Sequence, residues 1–256
     1  MFIEIEKLKI FYHIEGEGYP ILLFHGWGGN SNSLYPIGNN LKDKYKVIYI
    51  DFPGFGKSDI PKFSFNGEDY KRIVLNFIDS LNIKNYTIIG HSFGGRVGIR
   101  VAAERKDDIR GLILIDSAGI RDPKTIKQKL SEKTFKFFKK LTLKLLKGKN
   151  KEKVLSFFQN IFGSKDYKNV NGVMRETLVK VVNEDLLPIL KNIDVKTLII
   201  WGELDKELPL RHGFIINENI KNSKLVIIKN GSHFPYLDNL PKVIYEIKNF
   251  LGEIYG

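Results

Sequence analysis

The most regular feature of the chain is a series of short, almost continuous apolar runs separated by polar segments. Six of them, rich in Ile, Val, Leu, Phe and Tyr, cover residues 21–24, 46–50, 86–89, 111–115, 197–201 and 225–228. Apolar runs without alternation are typical of strands covered on both faces in a parallel sheet. An earlier run, residues 3–12, leads into a glycine-containing stretch and predicts an antiparallel hairpin at one edge of that sheet.

Segments with helical periodicity lie between these runs, at residues 69–81, 94–104 and 241–251. Strands that alternate with helices are joined by right-handed crossovers, which place helices on both faces of an open sheet. The pattern therefore predicts an α/β protein with a doubly wound, mostly parallel sheet.

The alternation is interrupted once, between residues 120 and 189, where apolar positions follow a helical period and no run predicts a strand. We therefore expect a core domain of residues 1–119 and 190–256, with residues 120–189 forming a helical insertion after the sixth strand. From residue 126 to residue 145 of the insertion, apolar positions recur every three or four residues and lysines fall mainly on the other side. This spacing predicts an amphipathic helix with a basic face.

The net charge of +12 is concentrated in this insertion, since residues 121–153 contain 13 Lys or Arg and three acidic residues. The basic face is either a solvated surface or a surface that meets an anionic partner, such as lipid headgroups or acidic substrates. No known nucleic-acid-binding module accompanies the charge, so nucleic-acid binding is not expected. The sequence leaves the oligomeric state open.

Composition bounds the chemistry further. The 256 residues, 43% hydrophobic and 27% charged, are typical of one globular α/β domain. Because the chain has no cysteine, disulfides, thiolate metal sites and cysteine nucleophiles are excluded. The first residues have acids where a signal peptide needs basic residues, and no run approaches 18 apolar residues. We expect a cytoplasmic protein without a membrane span, and predict neither a metal nor a cofactor.

The strongest candidate for chemistry is Ser92, in the sequence Gly90-His91-Ser92-Phe93-Gly94 between a predicted strand and a predicted helix. A sharp strand-to-helix turn exposes its central side chain, and glycines two positions away on either side relieve the crowding that the turn creates. The alternative is a glycine-rich turn that contains serine by chance. The order of strand, turn and helix favours Ser92 as a nucleophile.

A serine hydroxyl needs an adjacent base, and the base needs an acceptor that fixes its tautomer. Of the five histidines, His233 directly follows the last predicted strand, so its loop reaches the same sheet edge as Ser92. Asp205 follows the preceding strand and is the favoured acceptor; Glu203 and Asp116 are the alternatives. The predicted set is Ser92, Asp205 and His233, in the chain order that this kind of site uses.

The oxyanion formed during acyl transfer needs hydrogen-bond donors. The backbone N–H of Phe93 is one candidate, and the N–H of Trp27, in the turn after the strand at 21–24, is the other, with Gly26 or Gly28 as neighbouring alternatives. His25 in the same turn is expected to have a structural role. We expect the substrate pocket to include the residues Gly26, His91 and Phe234.

Five segments together resemble the α/β-hydrolase superfamily: His25-Gly26-Trp27-Gly28, residues 51–58 (DFPGFGKS), the turn at Ser92, residues 201–205 (WGELD) and Gly231-Ser232-His233. The chain is most similar to the branch of small carboxylesterases, carbon–carbon bond hydrolases and cofactor-free haloperoxidases. The resemblance implies the same triad and oxyanion donors, and implies that the insertion is a lid, or cap, over the active site. Many carbon–carbon hydrolases of the family have Asn where this chain has His91.

The sequence thus predicts a serine hydrolase, with carboxylesterase activity on small or medium acyl esters as the favoured reaction and a small acyl compound as its partner. Hydrolysis of a carbon–carbon bond or a thioester is the alternative within enzymes. A ligand sensor with slow turnover is the alternative from another class.

Overall fold

A computed structural model describes residues 1–105, 107–122 and 171–256. The predicted amphipathic helix at 126–145 and most of its basic face lie outside the described residues. Eight strands form one sheet: β1 (Phe2–Ile5), β2 (Leu8–Glu15), β3 (Tyr19–Phe24), β4 (Tyr45–Ile50), β5 (Tyr86–His91), β6 (Ile109–Ile115), β7 (Thr197–Gly202) and β8 (Ser223–Ile228).

The sheet has the order β1-β2-β4-β3-β5-β6-β7-β8, and every pair from β4 to β8 is parallel. The two antiparallel pairs, β1 with β2 and β2 with β4, lie at one edge. The prediction of a mostly parallel sheet with an edge hairpin is confirmed. The run predicted at 3–12 is interrupted because Glu6 and Lys7 adopt φ values of 50° and 66° and form the turn between β1 and β2.

The helices of the described residues are α1 (Tyr35–Gly38), α2 (Gly67–Ser80), α3 (Phe93–Glu104), α4 (Gly172–Val182), α5 (Leu187–Leu190), α6 (Arg211–Asn219), α7 (Pro235–Asp238) and α8 (Leu240–Tyr255). The helices predicted at 69–81, 94–104 and 241–251 correspond to α2, α3 and α8. Asn66 caps α2 with its side chain and forms a reciprocal pair of hydrogen bonds with Asp69, which fixes the start of that helix.

Alternate residues of the central strands point to opposite faces, and each face has its own hydrophobic core. On one face, Leu22 and Phe24 of β3 pack in the cluster that includes residues of α2, α3 and α6. On the other, Ile21 and Leu23 belong to the cluster formed with α1 and α8. Burial on both faces explains why these strands are continuous apolar runs in the sequence.

Sequence patterning did not predict α6, and its composition explains why. Gly213 lies in the first turn of this helix, and a Cβ there would be 2.9 Å from Trp201 Cε3. The helix packs closely on β7 through a residue that has low helix propensity. Its periodic apolar face is correspondingly short, with Ile216 as the one fully buried large apolar side chain.

The two ends of the predicted insertion meet at its base, where the Leu186 N–H donates to the Gly119 carbonyl at 2.8 Å. Helix α4, inside the predicted insertion, packs Met174, Leu178 and Val181 with little exposure. The boundaries of the insertion and its role as a lid stay predictions. Among the described helices, none has the length and apolar character that a bilayer crossing requires.

Candidate active site

Ser92 lies in the turn between β5 and α3, with φ of 51° and ψ of −112°. This is a strained conformation for a residue with a side chain. Hydrogen bonds to both the N–H and the carbonyl of Ser92 hold it in place. The Ser92 N–H donates to the Ile115 carbonyl at 3.0 Å, and the Ser92 carbonyl accepts from Ala118 N–H at 3.0 Å. The turn therefore presents a partly exposed hydroxyl at the carboxyl edge of the sheet.

The glycines around Ser92 are required by close approach of backbones. A Cβ at Gly90 would lie 2.6 Å from the Gly94 carbonyl oxygen, and a Cβ at Gly94 would lie 2.0 Å from the Phe24 carbonyl oxygen. Both distances are far below van der Waals contact, and both would push β5, the turn and β3 apart. The sequence argument from the flanking glycines agrees with this geometry.

His233 and Asp205 are joined by a hydrogen bond. The Nδ1–H of His233 donates to Asp205 Oδ2 at 2.8 Å, and the Asp205 side chain is fully buried. Asp205 Oδ1 accepts from the N–H groups of Glu207 at 2.7 Å and Leu208 at 2.9 Å. Burial acts to raise the pKa of Asp205, but the hydrogen bonds from His233 and Leu208 outweigh it and lower the pKa below its usual value. Asp205 is thus ionised and orients the imidazole so that Nε2 is free to act as a base.

Nε2 of His233 lies 3.6 Å from Glu207 Oε2, and within the described residues it makes no hydrogen bond to the Ser92 hydroxyl. Catalytic hydrogen bonds are commonly long in the free state and shorten when substrate is bound. The structure therefore brings together the predicted acid and the predicted base, and it places the predicted nucleophile at the same sheet edge without a direct bond to them.

The two alternative acids have other partners. Glu203 Oε2 accepts from the Asn230 N–H at 2.9 Å, which braces the loop that carries His233. Asp116 Oδ1 accepts from the Gly202 N–H at 2.9 Å. Neither forms a hydrogen bond with His233 Nδ1, which binds Asp205, so Asp205 is the acceptor that the geometry favours.

Backbone contacts fix the loop that bears His233. Asp238 Oδ2 accepts from both the N–H and the hydroxyl of Ser232, at 2.6 and 2.7 Å. Gly202 at the end of β7 touches the same loop, since a Cβ there would lie 2.0 Å from the Ser232 carbonyl oxygen. A glycine at the end of β7 lets the acid loop and the histidine loop lie side by side.

His91, predicted as a pocket residue, is 2% exposed, and its Nε2–H donates to the His233 carbonyl at 2.8 Å. Burial lowers the pKa of His91 to about 3, and the neighbouring His233 adds to that effect, so this ring is neutral. This hydrogen bond from His91 holds the backbone of His233 in place, a role that sequence reasoning missed. Phe234, also predicted for the pocket, is 40% exposed, and its ring lies 5.0 Å from that of His91.

The predicted oxyanion donors are the N–H of Phe93, directly after Ser92, and the N–H of Trp27, in the turn after β3. Gly26 approaches the nucleophile closely, since a Cβ there would be 3.5 Å from the Ser92 Cβ and 2.9 Å from His91 Nδ1. Among the described residues, neither Trp27 N–H nor Phe93 N–H donates to another group. Two free donors beside a hydroxyl are what a developing oxyanion requires; their assignment stays a prediction.

The Phe93 ring is 3% exposed and anchors α3 in an aromatic cluster. Its neighbours, with centroid distances between 4.9 and 6.1 Å, are Trp27, Phe52, Phe55 and Tyr70. Ring packing of this kind fixes the position of the backbone N–H in the turn that carries Ser92.

His25 and Asp51 hold the turn that carries Trp27. His25 Nδ1–H donates to the Gly26 carbonyl at 2.7 Å and Nε2 accepts from the Phe52 N–H at 3.1 Å. Burial lowers the pKa of His25 to about 4, so it is neutral, consistent with the structural role expected for it. Asp51 accepts from the N–H groups of Ser31 at 2.6 Å and Lys57 at 2.7 Å. The DFPGFGKS segment thus stabilises the turn that carries Trp27.

Among the described residues, one group of acids and histidines could hold a metal ion: Asp116, Asp205 and His233, with ligand atoms within 4.8 Å of one another. Two of these residues, Asp205 and His233, already bind each other. A cation there would have to break the bond that orients the imidazole. The expectation of a metal-free site stays a prediction.

The chain is similar in sequence to known proteins along most of its length. The sequence pattern of the alpha/beta hydrolase fold matches residues 19–240. The chain is 30% identical over 248 residues to a pimeloyl-[acyl-carrier protein] methyl ester esterase of Legionella pneumophila, covering 92% of this chain and 96% of that protein. It is 28% identical over 281 residues to a proline iminopeptidase of Saccharolobus solfataricus, covering 96% and 88%.

Two solved structures are similar throughout. An esterase from Exiguobacterium antarcticum superposes with a TM-score of 0.76 at 24% identity, covering 98% of both chains. A meta-cleavage product hydrolase from Pseudomonas fluorescens superposes with a TM-score of 0.74 at 20% identity, covering 99% of this chain and 97% of that one. At these identities the likeness concerns the fold.

Proposed function

The chain belongs to the α/β-hydrolase fold family, and we propose that it is a serine hydrolase that cleaves carboxylic esters through an acyl-enzyme. The observation that carries the proposal is the 2.8 Å bond between His233 Nδ1 and Asp205 Oδ2. It lies at the sheet edge where Ser92 occupies a strained turn with φ of 51°. A buried carboxylate that orients an imidazole at the same sheet edge as a partly exposed hydroxyl is the arrangement that nucleophilic acyl transfer needs.

In the proposed reaction, His233 Nε2 takes the proton of the Ser92 hydroxyl as Oγ attacks the ester carbonyl carbon. The carbonyl oxygen becomes an oxyanion and accepts from the N–H groups of Trp27 and Phe93. The imidazolium, stabilised by ionised Asp205, then gives its proton to the leaving alcohol, and the acyl-enzyme remains. A water molecule, deprotonated by His233, releases the acid and restores Ser92.

An ester is favoured over other acyl compounds by the 30% identical relative, which is named a methyl ester esterase. We propose small or medium acyl groups with a small leaving alcohol. A panel that contains an ester, a thioester and a vinylogous diketone of matched size tests this choice. A kcat/KM for the ester that is at least about tenfold higher than for the other two compounds supports the proposal. Tenfold corresponds to a difference of ~1.4 kcal/mol in activation free energy. Preference for the diketone would instead assign carbon–carbon bond hydrolysis.

The proposed mechanism is tested with Ser92→Ala and a matched control, Ser117→Ala. Ser117 is a fully buried serine beside the turn, and its hydroxyl donates to the Ala118 carbonyl at 3.0 Å. We expect Ser92→Ala to lose hydrolysis of p-nitrophenyl butyrate and labelling by a fluorophosphonate, while Ser117→Ala keeps both. Full activity in Ser92→Ala would refute the assignment. A wild-type protein that is labelled at Ser92 but turns over very slowly would favour the ligand sensor.

The basic insertion suggests how a substrate could be delivered. Residues 121–153 contain 13 Lys or Arg and three acidic residues, and the Legionella relative is named for an ester on an acyl-carrier protein. We propose that the insertion attracts an acyl ester held on an anionic carrier, since a field of one sign raises association rates. The test compares kcat/KM for a methyl ester on an acyl-carrier protein with the same ester free, at low and high salt. Salt should reduce only the first value; an equal response of both would contradict this role.

A further inference from the structure

Asp116 is a second carboxyl group beside Asp205 and His233, and the proposed mechanism does not use it. It follows β6, is fully buried, and adopts φ of 40°, a left-handed conformation that is rare outside glycine. One ligand atom from each of the three side chains lies within 4.8 Å of those of the other two. A strained, buried carboxyl group in contact with the site requires a reason.

The hydrogen bonds of the two aspartates are unequal. Asp205 accepts three, from His233 Nδ1 and from the N–H groups of Glu207 and Leu208. Asp116 accepts one, from Gly202 at Oδ1, and within the described residues no donor reaches its buried Oδ2. A side-chain oxygen of Asp116 lies within 4.8 Å of one of Asp205, and two carboxyl oxygens can form a hydrogen bond with each other only if one of them carries a proton.

Electrostatics place that proton on Asp116. Two adjacent buried carboxylates cannot both ionise at low cost. Burial, opposed by the Gly202 N–H and assisted by the hydrogen bond with Asp205, raises the pKa of Asp116 to about 9. The other titratable groups that face it are His233, Asp238 and Tyr236, and the negative charge of Asp238 acts in the same direction. Burial raises the pKa of the Tyr236 phenol, which therefore stays neutral.

We propose that Asp116 is a positioning residue that remains a neutral carboxylic acid and donates a hydrogen bond from Oδ2–H to the Asp205 carboxylate. The bond holds Asp205 in the orientation that accepts from His233 Nδ1. Because Asp116 is neutral, it adds no second negative charge that would compete with Asp205 for the imidazolium of His233. Only the kinetic consequence rests on the proposed function; the protonation of Asp116 does not.

The protonation is tested by following the carboxyl carbons of 13C-labelled aspartate by NMR in the full chain, with Asp116→Asn to assign the signal. We expect one carboxyl signal to keep the chemical shift of the protonated form up to about pH 8, and to be missing in Asp116→Asn. Ordinary aspartates titrate near pH 3.9. If every aspartate signal titrated below about pH 5, the proposal would be wrong, whatever the activity of the protein.

The positioning role is tested with Asp116→Asn and Asp116→Ala. Asparagine keeps an acceptor for Gly202 N–H and a donor for Asp205, whereas alanine removes the donor and leaves the Asp205 carboxylate with one bond fewer. We expect Asp116→Asn to retain kcat within about threefold, and Asp116→Ala to lose about tenfold in kcat with KM unchanged. Equal loss in both variants would mean that a charge at this position is needed. No loss in either would mean that the bond positions nothing.

Thermal unfolding shows whether each variant folds. If Asp116→Ala does not fold, the kinetics of Asp116→Asn and the NMR titration together decide the proposal. Labelling of wild-type Ser92 by a fluorophosphonate is run beside it. Absence of that label would remove the proposed function and leave the protonation result standing.

Discussion

Asp116 and Asp205 follow neighbouring strands, β6 and β7, and lie within reach of the same histidine, yet they differ in charge. Asp205 accepts one side-chain and two backbone hydrogen bonds and is ionised. Asp116 accepts one backbone bond, and burial keeps it neutral. We infer that the number of N–H groups directed at a carboxylate, together with its burial, decides which of the two acids is ionised.

The largest expected effect is that of Asp205→Asn. This substitution keeps the size of the side chain but removes the charge that stabilises the imidazolium and favours the wrong tautomer of His233. We expect kcat for p-nitrophenyl butyrate to fall about 10³–10⁴-fold, the size found when an orienting aspartate is replaced by its amide. Asp116→Asn is the matched control. A similar fall in both variants would erase the distinction between the two acids.

Gly202 connects the two acids, since its N–H donates to Asp116 Oδ1 and its carbonyl accepts from the Asp205 N–H at 3.3 Å. A Cβ in Gly202→Ala would lie 2.0 Å from the Ser232 carbonyl oxygen, so the histidine loop must move away. We expect the free energy of unfolding to fall by about 3 kcal/mol, or Tm by roughly 6–12 °C, with a loss of activity.

Gly252→Ala, in α8, is the control for Gly202→Ala, because a Cβ at Gly252 would meet nothing within 4 Å. Here we expect stabilisation of up to about 1 kcal/mol from the higher helix propensity of alanine. Calorimetry of both variants checks the contrast. Unchanged stability and activity in Gly202→Ala would show that the contact between the two loops is not needed.

The different charge of the two acids also predicts a pH dependence of stability. The pKa of Asp116 is raised in the folded protein to about 9, so its favourable contribution is complete below the unfolded value near 3.9 and is lost as pH rises toward 9. Between pH 5 and 8, the free energy of unfolding of the wild type should fall relative to that of Asp116→Asn by up to about 1.4 kcal/mol per pH unit. Urea unfolding at several pH values measures it. Parallel curves for the two proteins would contradict a neutral Asp116.

The smallest effect concerns a third carboxylate, Glu207, whose Oε2 lies 3.6 Å from His233 Nε2 while its side chain is 64% exposed. A solvated carboxylate at that distance contributes little compared with the buried partner of Nδ1. We expect Glu207→Gln to change kcat/KM by less than about twofold. A loss comparable to that of Asp205→Asn would mean that the exposed acid, rather than the buried one, controls the imidazole.

Sequence patterning predicted the central strands that are buried on both faces, because continuous apolar runs follow directly from burial. The run at 225–228 is the exception, since β8 forms an edge of the sheet and Ile227 is 40% exposed. Patterning also located the turn at Ser92. The backbone leaves no room for a Cβ at Gly90, which faces Gly94 in the same turn, or at Gly94, which faces the end of β3. The sequence favoured Asp205 over Asp116 because Asp205 follows the strand directly before the one that leads to His233. The different ionisation of these acids depends on donors such as the Leu208 N–H, which pattern reading does not place.

Two other features were not predicted from the sequence, for similar reasons. Helix α6 is short and contains Gly213 at its contact with Trp201, so neither propensity nor periodicity marks it. The support that His91 gives to His233 joins residues 142 positions apart. Such contacts follow from the register of distant strands, and no local pattern records them.

The most direct test of the account is the rate at which a fluorophosphonate forms a covalent adduct at Ser92, measured by intact-protein mass spectrometry with peptide mapping. The account predicts one adduct per chain, at Ser92, formed at nearly equal rates in the wild type and Asp116→Asn and about 10³-fold more slowly in Asp205→Asn. An adduct at another residue, or equal rates in the two aspartate variants, would contradict it.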